Sequence, residues 1–193
     1  MRLLVCIPAL VFCACHSTEK VCNEAAQFEA SVSIGTGYEA FESFEEGDYL
    51  SPVFGPQGGH HIWGSVQVTG FNPGDGKMVQ DSSIFDQPLD GGGPASYTAK
   101  GHDVVSVVFT MSYPDDFYGP VEIPFDAFLE GDVQEAVHYG QTVFLASYDL
   151  LDQFPDEEEV EVEMGVTVTD ACGTSMSDSK SFKIRMEEIS FYY

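Results

Sequence analysis

The sequence predicts an all-β fold, an antiparallel β-sandwich built as one domain. Short segments in which apolar and polar side chains alternate recur along the chain, the signature of half-buried strands. Clusters of Gly, Pro and Asp separate them at short intervals, which suits hairpins and sandwich turns. Val, Phe, Tyr, Thr and Gly are plentiful, and no stretch carries a helical period beyond a short turn at residues 132–139. At 193 residues and 44% apolar composition, the chain can fill one core of ordinary size.

The chain opens with MRLLVCIPALVFCAC. Arg2 is followed by an apolar run, Leu3 to Phe12, too short to span a bilayer, so residues 1–14 are expected to be an export signal. Ala14-Cys15 resembles the lipobox of bacterial lipoproteins, with Phe12 where an aliphatic residue is usual and Cys13 uncommon at its place. The resemblance implies a lipid on the thiol of Cys15, with acyl chains that anchor by about 0.8 kcal/mol per buried methylene. The other reading is an ordinary secretory signal cleaved a few residues away. His16 and Ser17 follow, and the absence of Asp there resembles the outer-membrane sorting pattern. The expected place is therefore the bacterial outer membrane, facing the periplasm or the cell surface. Once Cys6 and Cys13 leave with the signal and Cys15 carries lipid, Cys22 and Cys172 remain. An oxidising compartment would preserve a disulfide between them.

Residues 15–24 read as a polar tether, and 25–193 as the single domain. Alternation at 28–34 gives the first strand, broken by Gly35-Thr36-Gly37. Residues 38–44 are strand-like, Glu45-Glu46-Gly47-Asp48 is a turn, and 49–54 is again strand-like. GPQGG reverses the chain, since Pro56 suits the second place of a turn and Gly58-Gly59 tolerate positive φ. Residues 60–69 alternate as the next strand. The stretch 70–103 is rich in turn formers, with weak short strands at most. VVSVVFTM, from Val104 to Met111, is the best central strand, closed by Tyr113-Pro114-Asp115-Asp116. Pro120 and Pro124 make 121–129 an edge segment. Residues 142–148 form a strand before the acidic loop DLLDQFPDEEE. EVEVEMGVTVT at 159–169 alternates, Asp170-Ala171-Cys172-Gly173 turns, and SFKIRM at 181–186 returns antiparallel.

Residues 159–184 resemble the final hairpin of an immunoglobulin-like or PKD-like domain: a strand ending in V-x-V-x-D, a glycine turn and a short closing strand. The segment from Gly35 through GPQGGHHIW resembles uncharacterised bacterial lipoproteins with a G-x-Q-G-G-x-H pattern, here Gly55, Gln57, Gly58, Gly59 and His61. These resemblances imply export and an immunoglobulin-like β-sandwich. They bring no activity.

Charge is lopsided, with 32 acidic against 7 basic residues and a formal net charge of −25. Such a surface repels nucleic-acid phosphates and acidic headgroups. It favours solubility and attracts cations or basic partners.

The motifs that would carry strong chemistry are missing. The sequence contains no HExxH, CxxC, GxSxG, GxGxxG or GxxxxGK[ST]. No catalytic residue and no cofactor are assigned. Among 32 carboxylates a pair at glycosidase spacing is almost inevitable and carries no information. Calcium would need oxygen-rich loops, at residues 72–75, 86–90, 115–116 or 149–159, and none has the D-x-[DN]-x-[DN]-G spacing. Copper or zinc would draw on His60, His61, His102 and His138. On a regular strand, however, His60 would face inward with Ile62, Val66 and Val68, and His61 outward with Trp63, Ser65, Gln67 and Thr69. The paired histidines are thus no chelate, and no metal ligand is assigned. Gln57, His61 and Trp63 are expected to form an outward polar-aromatic patch for a glycan or protein partner. The expectation is a non-catalytic binding or structural protein held to the membrane by an N-terminal lipid. The alternative is a periplasmic metal-binding protein, calcium ahead of copper or zinc.

Overall fold

In the computed structural model, which describes residues 16–55, 59–75, 77–80, 97–100, 103–113, 120–145, 158–185 and 187, this alternation becomes two packed antiparallel sheets. In chain order the elements are α1 (His16–Ala25), β1 (Ser31–Gly35), β2 (Val53–Phe54), β3 (His60–Thr69), β4 (Lys77–Gln80) and β5 (Tyr97–Lys100). Then come β6 (Val105–Ser112), β7 (Val121–Ala127), β8 (Glu130–Gly131), β9 (Ala136–Leu145), β10 (Glu159–Thr169) and β11 (Ser175–Arg185). The first sheet has the order β1-β3-β9-β8, with β2 beside the start of β3. The second has the order β11-β10-β6-β7, and β4 and β5 form a separate ribbon. The architecture is the predicted all-β sandwich. The signal segment, Cys15, Gln57, His102 and the calcium candidates at 86–90 and 115–116 lie outside the described residues, as does most of 149–159.

Register explains the core. Val166 of β10 pairs with Phe109 of β6, and Met164 with Met111; Val162 faces Phe182 of β11, and Val160 faces Ile184. All eight are buried, so one face of three neighbouring strands is a continuous apolar layer. The other sheet answers with Ile34 opposite Val66 and Ile62 opposite Val143. The layers meet at Gly64, where an added Cβ would stand 2.7 Å from Val143 and 3.0 Å from the Phe109 ring. Interiors this dense do not absorb a methyl group freely. Gly64→Ala is expected to lower stability by about 1–2 kcal/mol, read as a lower urea midpoint with an unchanged m-value.

Sandwich edges are covered by segments that are barely strands. Residues 44–50 run beside β11: Gly47 N donates to Ser181 O at 2.9 Å, Lys183 N to Asp48 O at 2.8 Å, and Leu50 N to Lys183 O at 3.0 Å. Two charges of β11 reach beyond their own strand, Asp178 to β1 of the other sheet and Lys180 to the segment alongside. Asp178 accepts from the backbone N of Ile34 at 2.8 Å, and Lys180 Nζ donates to Phe44 O at 2.8 Å. Around Ser181–Lys183 the edge of β11 is occupied in this way and offers no free ladder to another chain. At the opposite edge β7 carries an exposed Pro124, which has no N–H to donate.

Several elements differ from expectation. The segment read as a tether is helix α1, fixed by a Cys22–Cys172 disulfide with Cα atoms 5.6 Å apart. Thr18 Oγ1 also donates to Asp103 Oδ1 at 3.0 Å. Residues 132–139 are not helical: Asp132 Oδ1 accepts from the backbone N of Gln134 and Glu135, and the chain turns straight into β9. Residues 38–44 hold only an isolated bridge between Thr36 and Glu42, and 49–54 keeps a parallel bridge from Tyr49 to Lys183 and the short strand Val53–Phe54. The closing strand starts at Ser175 rather than Ser181, because every residue from 175 to 185 has a partner on β10.

Candidate functional site

The outer face of the first sheet carries the cluster that most resembles a binding surface. Antiparallel pairing places Val53, His61 and Phe144 in one row across β2, β3 and β9, and Trp63 with Thr142 in the next. The His61 ring stands 4.6 Å from Trp63 and 6.4 Å from Phe144, edge to face in both cases. A loop residue completes the group: Tyr38 lies 4.7 Å from Trp63, with the rings tilted by 46°.

Tyr38 is brought there by backbone chemistry. Thr36 Oγ1 donates to Trp63 O at 2.7 Å, and Ser65 Oγ donates to Gly37 O at 3.0 Å. Gly140 N donates to the same Gly37 oxygen at 3.0 Å. Both glycines are required. Gly37 has φ 113° and Gly140 φ 73°, in the region where L side chains are strained. Gly140 also sits at a bulge: Gly64 pairs with Gln141 and Val66 with His138, so Tyr139 and Gly140 together oppose Ser65. The bulge restores His138 to the inner face and aims Tyr139 outward, where its hydroxyl donates to Glu130 Oε2 at 3.1 Å. The bond to Glu130 chiefly, with Glu39 adding to it, holds the Tyr139 hydroxyl above its ordinary pKa.

The predicted residues are placed as follows. His60 and His61 diverge to opposite faces, paired with Phe54 and Val53 respectively. His60 packs inward with its ring 5.4 Å from Phe54. His61 and Trp63 share the outer face, but His61 is only 5% exposed, roofed by its neighbours, so it is the floor of the patch and not its rim. Burial, with His60 adding repulsion, pushes His61 below its ordinary pKa and favours the neutral ring. Its Nε2 is buried with no hydrogen-bond partner among the described residues. The rim comes from residues that sequence reasoning passed over: Tyr38 at 60% exposure and Phe144 at 56%. Phe144 could have been found from its outward parity between Val143 and Leu145. Tyr38 could not, because no periodicity announces a loop that crosses a sheet face.

The Asn72–Asp75 loop, a calcium candidate by composition, spends its oxygens on the fold. Asn72 Oδ1 accepts from Gly74 N at 3.0 Å, and Asp75 Oδ1 from Asp103 N at 3.1 Å. Asp103 Oδ2 accepts from Asn72 Nδ2 at 3.1 Å. Buried Asp170 accepts from Asn72 N at 2.7 Å through Oδ2, and from Cys172 N and Thr174 N, each at 2.9 Å, through Oδ1. These carboxylates tie the turn bearing Cys172 to the loop after β3. Among the described residues no group of three His, Cys, Asp or Glu is placed to hold a metal ion.

Three comparisons, with protein-family models, curated proteins and solved structures, find no match to this chain.

Proposed function

We propose that the chain is an exported, lipid-anchored β-sandwich protein with a non-catalytic binding role at the bacterial cell envelope. The observation that carries the binding role is the aromatic group on the outer face of the first sheet, with Tyr38 and Phe144 exposed around Trp63 and His61. Three rings gathered on a sheet face whose opposite side fills the core are more than the scattered apolar residues of an ordinary surface. Export is supported by the apolar leader with Ala14-Cys15 and by a disulfide, a bond that persists in oxidising compartments. No described helix is long and apolar enough to cross a membrane, and a lipid on Cys15 would need none. In this reading α1 ties the anchored end to the pole of the sandwich that holds Cys172, while His61 and Phe144 lie at the opposite end of β3. The protein would sit on the outer membrane, facing the periplasm or the cell surface, with a protein or glycan as partner and no role in nucleic-acid binding.

Cys15→Ala is expected to abolish labelling by a fatty-acid analogue in growing cells and to release the protein from the membrane fraction. Persistent labelling refutes the anchor. Metal analysis of the purified protein separates this reading from a metal-binding one. Stoichiometric calcium, copper or zinc, removed by a chelator with a fall in melting temperature, would replace it.

A further inference from the structure

We propose that the partner of this face is a cationic protein segment, rich in lysine and arginine, whose side chains lie over Tyr38, Trp63 and Phe144 with Glu39 and Glu130 as counter-charges. The inference rests on the binding role proposed above and adds the chemistry of what is bound.

The argument comes from where the chain keeps its own cations. Aromatic faces attract ammonium and guanidinium groups, and the fold uses that attraction on its other sheet. The exposed Tyr49 ring is covered by Lys183 Nζ at 5.8 Å and the Arg185 guanidinium at 4.8 Å. The Phe44 ring is covered by Lys180 Nζ at 5.2 Å. These three cations all belong to β11. No lysine or arginine occurs between Lys20 and Lys77, or between Lys100 and Lys180. Those two gaps contain every strand of the first sheet and the whole loop that carries Tyr38. Among the described residues, the cations placed over rings cover Phe44 and Tyr49, and none covers Tyr38, Trp63 or Phe144.

Charge around the rings has one sign. Glu39 follows Tyr38 directly, and Glu130, level with Val137 and Gln67, bonds to Tyr139, whose row on the same face lies between Glu130 and Trp63. His61 is buried and supplies no exposed cation. The whole molecule, at −25, draws basic partners and repels anionic ones. A second copy would bring an equal negative charge against this face, and a neutral glycan would gain nothing from the field. A basic segment meets both requirements, rings to lie on and carboxylates to pair with.

Trp63 is the only tryptophan, so its emission reports the site directly. The purified protein would be titrated with a short lysine–arginine peptide, a glycine–serine peptide of equal length, a glutamate peptide and a neutral β-linked gluco-oligosaccharide. The expected result is a saturable change in Trp63 emission with the lysine–arginine peptide alone, weakening as salt is raised. Tyr38→Ala with Phe144→Ala should weaken binding roughly tenfold, and Glu39→Gln a few-fold, with melting temperatures close to the parent's. Equal affinity of the double variant would mean attraction to the acidic coat at large and overturns the proposal. A response to the oligosaccharide and not to the basic peptide overturns the cationic partner but leaves the binding role standing. Silence from every probe overturns both. Concentration-dependent self-association that alters Trp63 emission would assign the face to a second copy and overturn the proposal as well.

Discussion

Replacing Cys22 and Cys172 together by serine is expected to lower the unfolding free energy by about 2–5 kcal/mol. The bridge closes a sequence separation of 150 residues. For so long a loop the chain-entropy relation allows roughly 5 kcal/mol, and denatured-state structure lowers the figure. Local anchoring does not make the bridge redundant. α1 has ten residues, too few to be stable alone, and besides the disulfide it holds the fold through the Thr18–Asp103 hydrogen bond and buried Ala25. On the other side Cys172 sits in a turn that Asp170 organises, so that half stays formed when the bridge is cut. Loss should therefore appear in two ways: a lower urea midpoint, and fraying of α1 seen as faster amide exchange at residues 18–25. Reductant added to the parent should reproduce both. An unchanged midpoint together with unchanged exchange in α1 would show that the bridge contributes nothing.

The helix is also the plainest case of structure the sequence did not announce. HSTEKVCNEA has no apolar stripe, and what makes it a helix of this fold is a covalent partner beyond residue 170. Strands β3 and β10 were legible because long alternating runs are bounded by glycine and aspartate turns, and their limits fall at residues 60–69 and 159–169 as read. β11 was half legible. Phe182 and Ile184 show the alternation, but Ser175 to Lys180 is polar apart from an exposed Met176, and its strand character comes from pairing with β10. On an edge strand the inward places can take Asp178 and Lys180, because Asp178 reaches the backbone of β1 in the other sheet and Lys180 the carbonyl of Phe44. Residues 38–44 mislead for the opposite reason. Their rings look periodic, yet Tyr38 packs on the outer face against Trp63 while Phe44 enters the core, 6.2 Å from Phe182. The same holds for the site. His61 and Trp63 were found from chemistry and strand period, whereas Phe144 needed the β3–β9 register and Tyr38 needed a backbone crossing fixed by Gly37 and Gly140.

His138 should make the fold acid-sensitive over a defined window. It pairs with Val66 on the inner face of β9, and its ring is 5.1 Å from Phe125, which in turn stacks on Phe109 at 6.1 Å. Burial there lowers its pKa from 6.5 to about 4, Glu130 opposing the change only in part. The unfolded chain consequently takes up this proton first as the solution is acidified. The stability owed to the neutral ring is complete above about pH 6.5, is lost as pH falls from there to about 4, and falls no further once both states are protonated. At pH near 4.5 the loss should be about 2–3 kcal/mol, since holding the ring neutral costs about 1.4 kcal/mol for every pH step below its unfolded pKa. His60 and His61, also lowered by burial, lose stability in the same direction. Glu159, lowered by its bonds to Tyr49 and Lys183, adds a loss at more acid pH. Comparison with His138→Leu removes these shared contributions, because only the difference between the two stability curves belongs to His138. That difference should move in favour of the leucine variant by about 2–3 kcal/mol between neutral pH and pH near 4.5, whatever its value at neutral pH. Parallel curves across that range would mean the imidazole gains its proton without leaving the core.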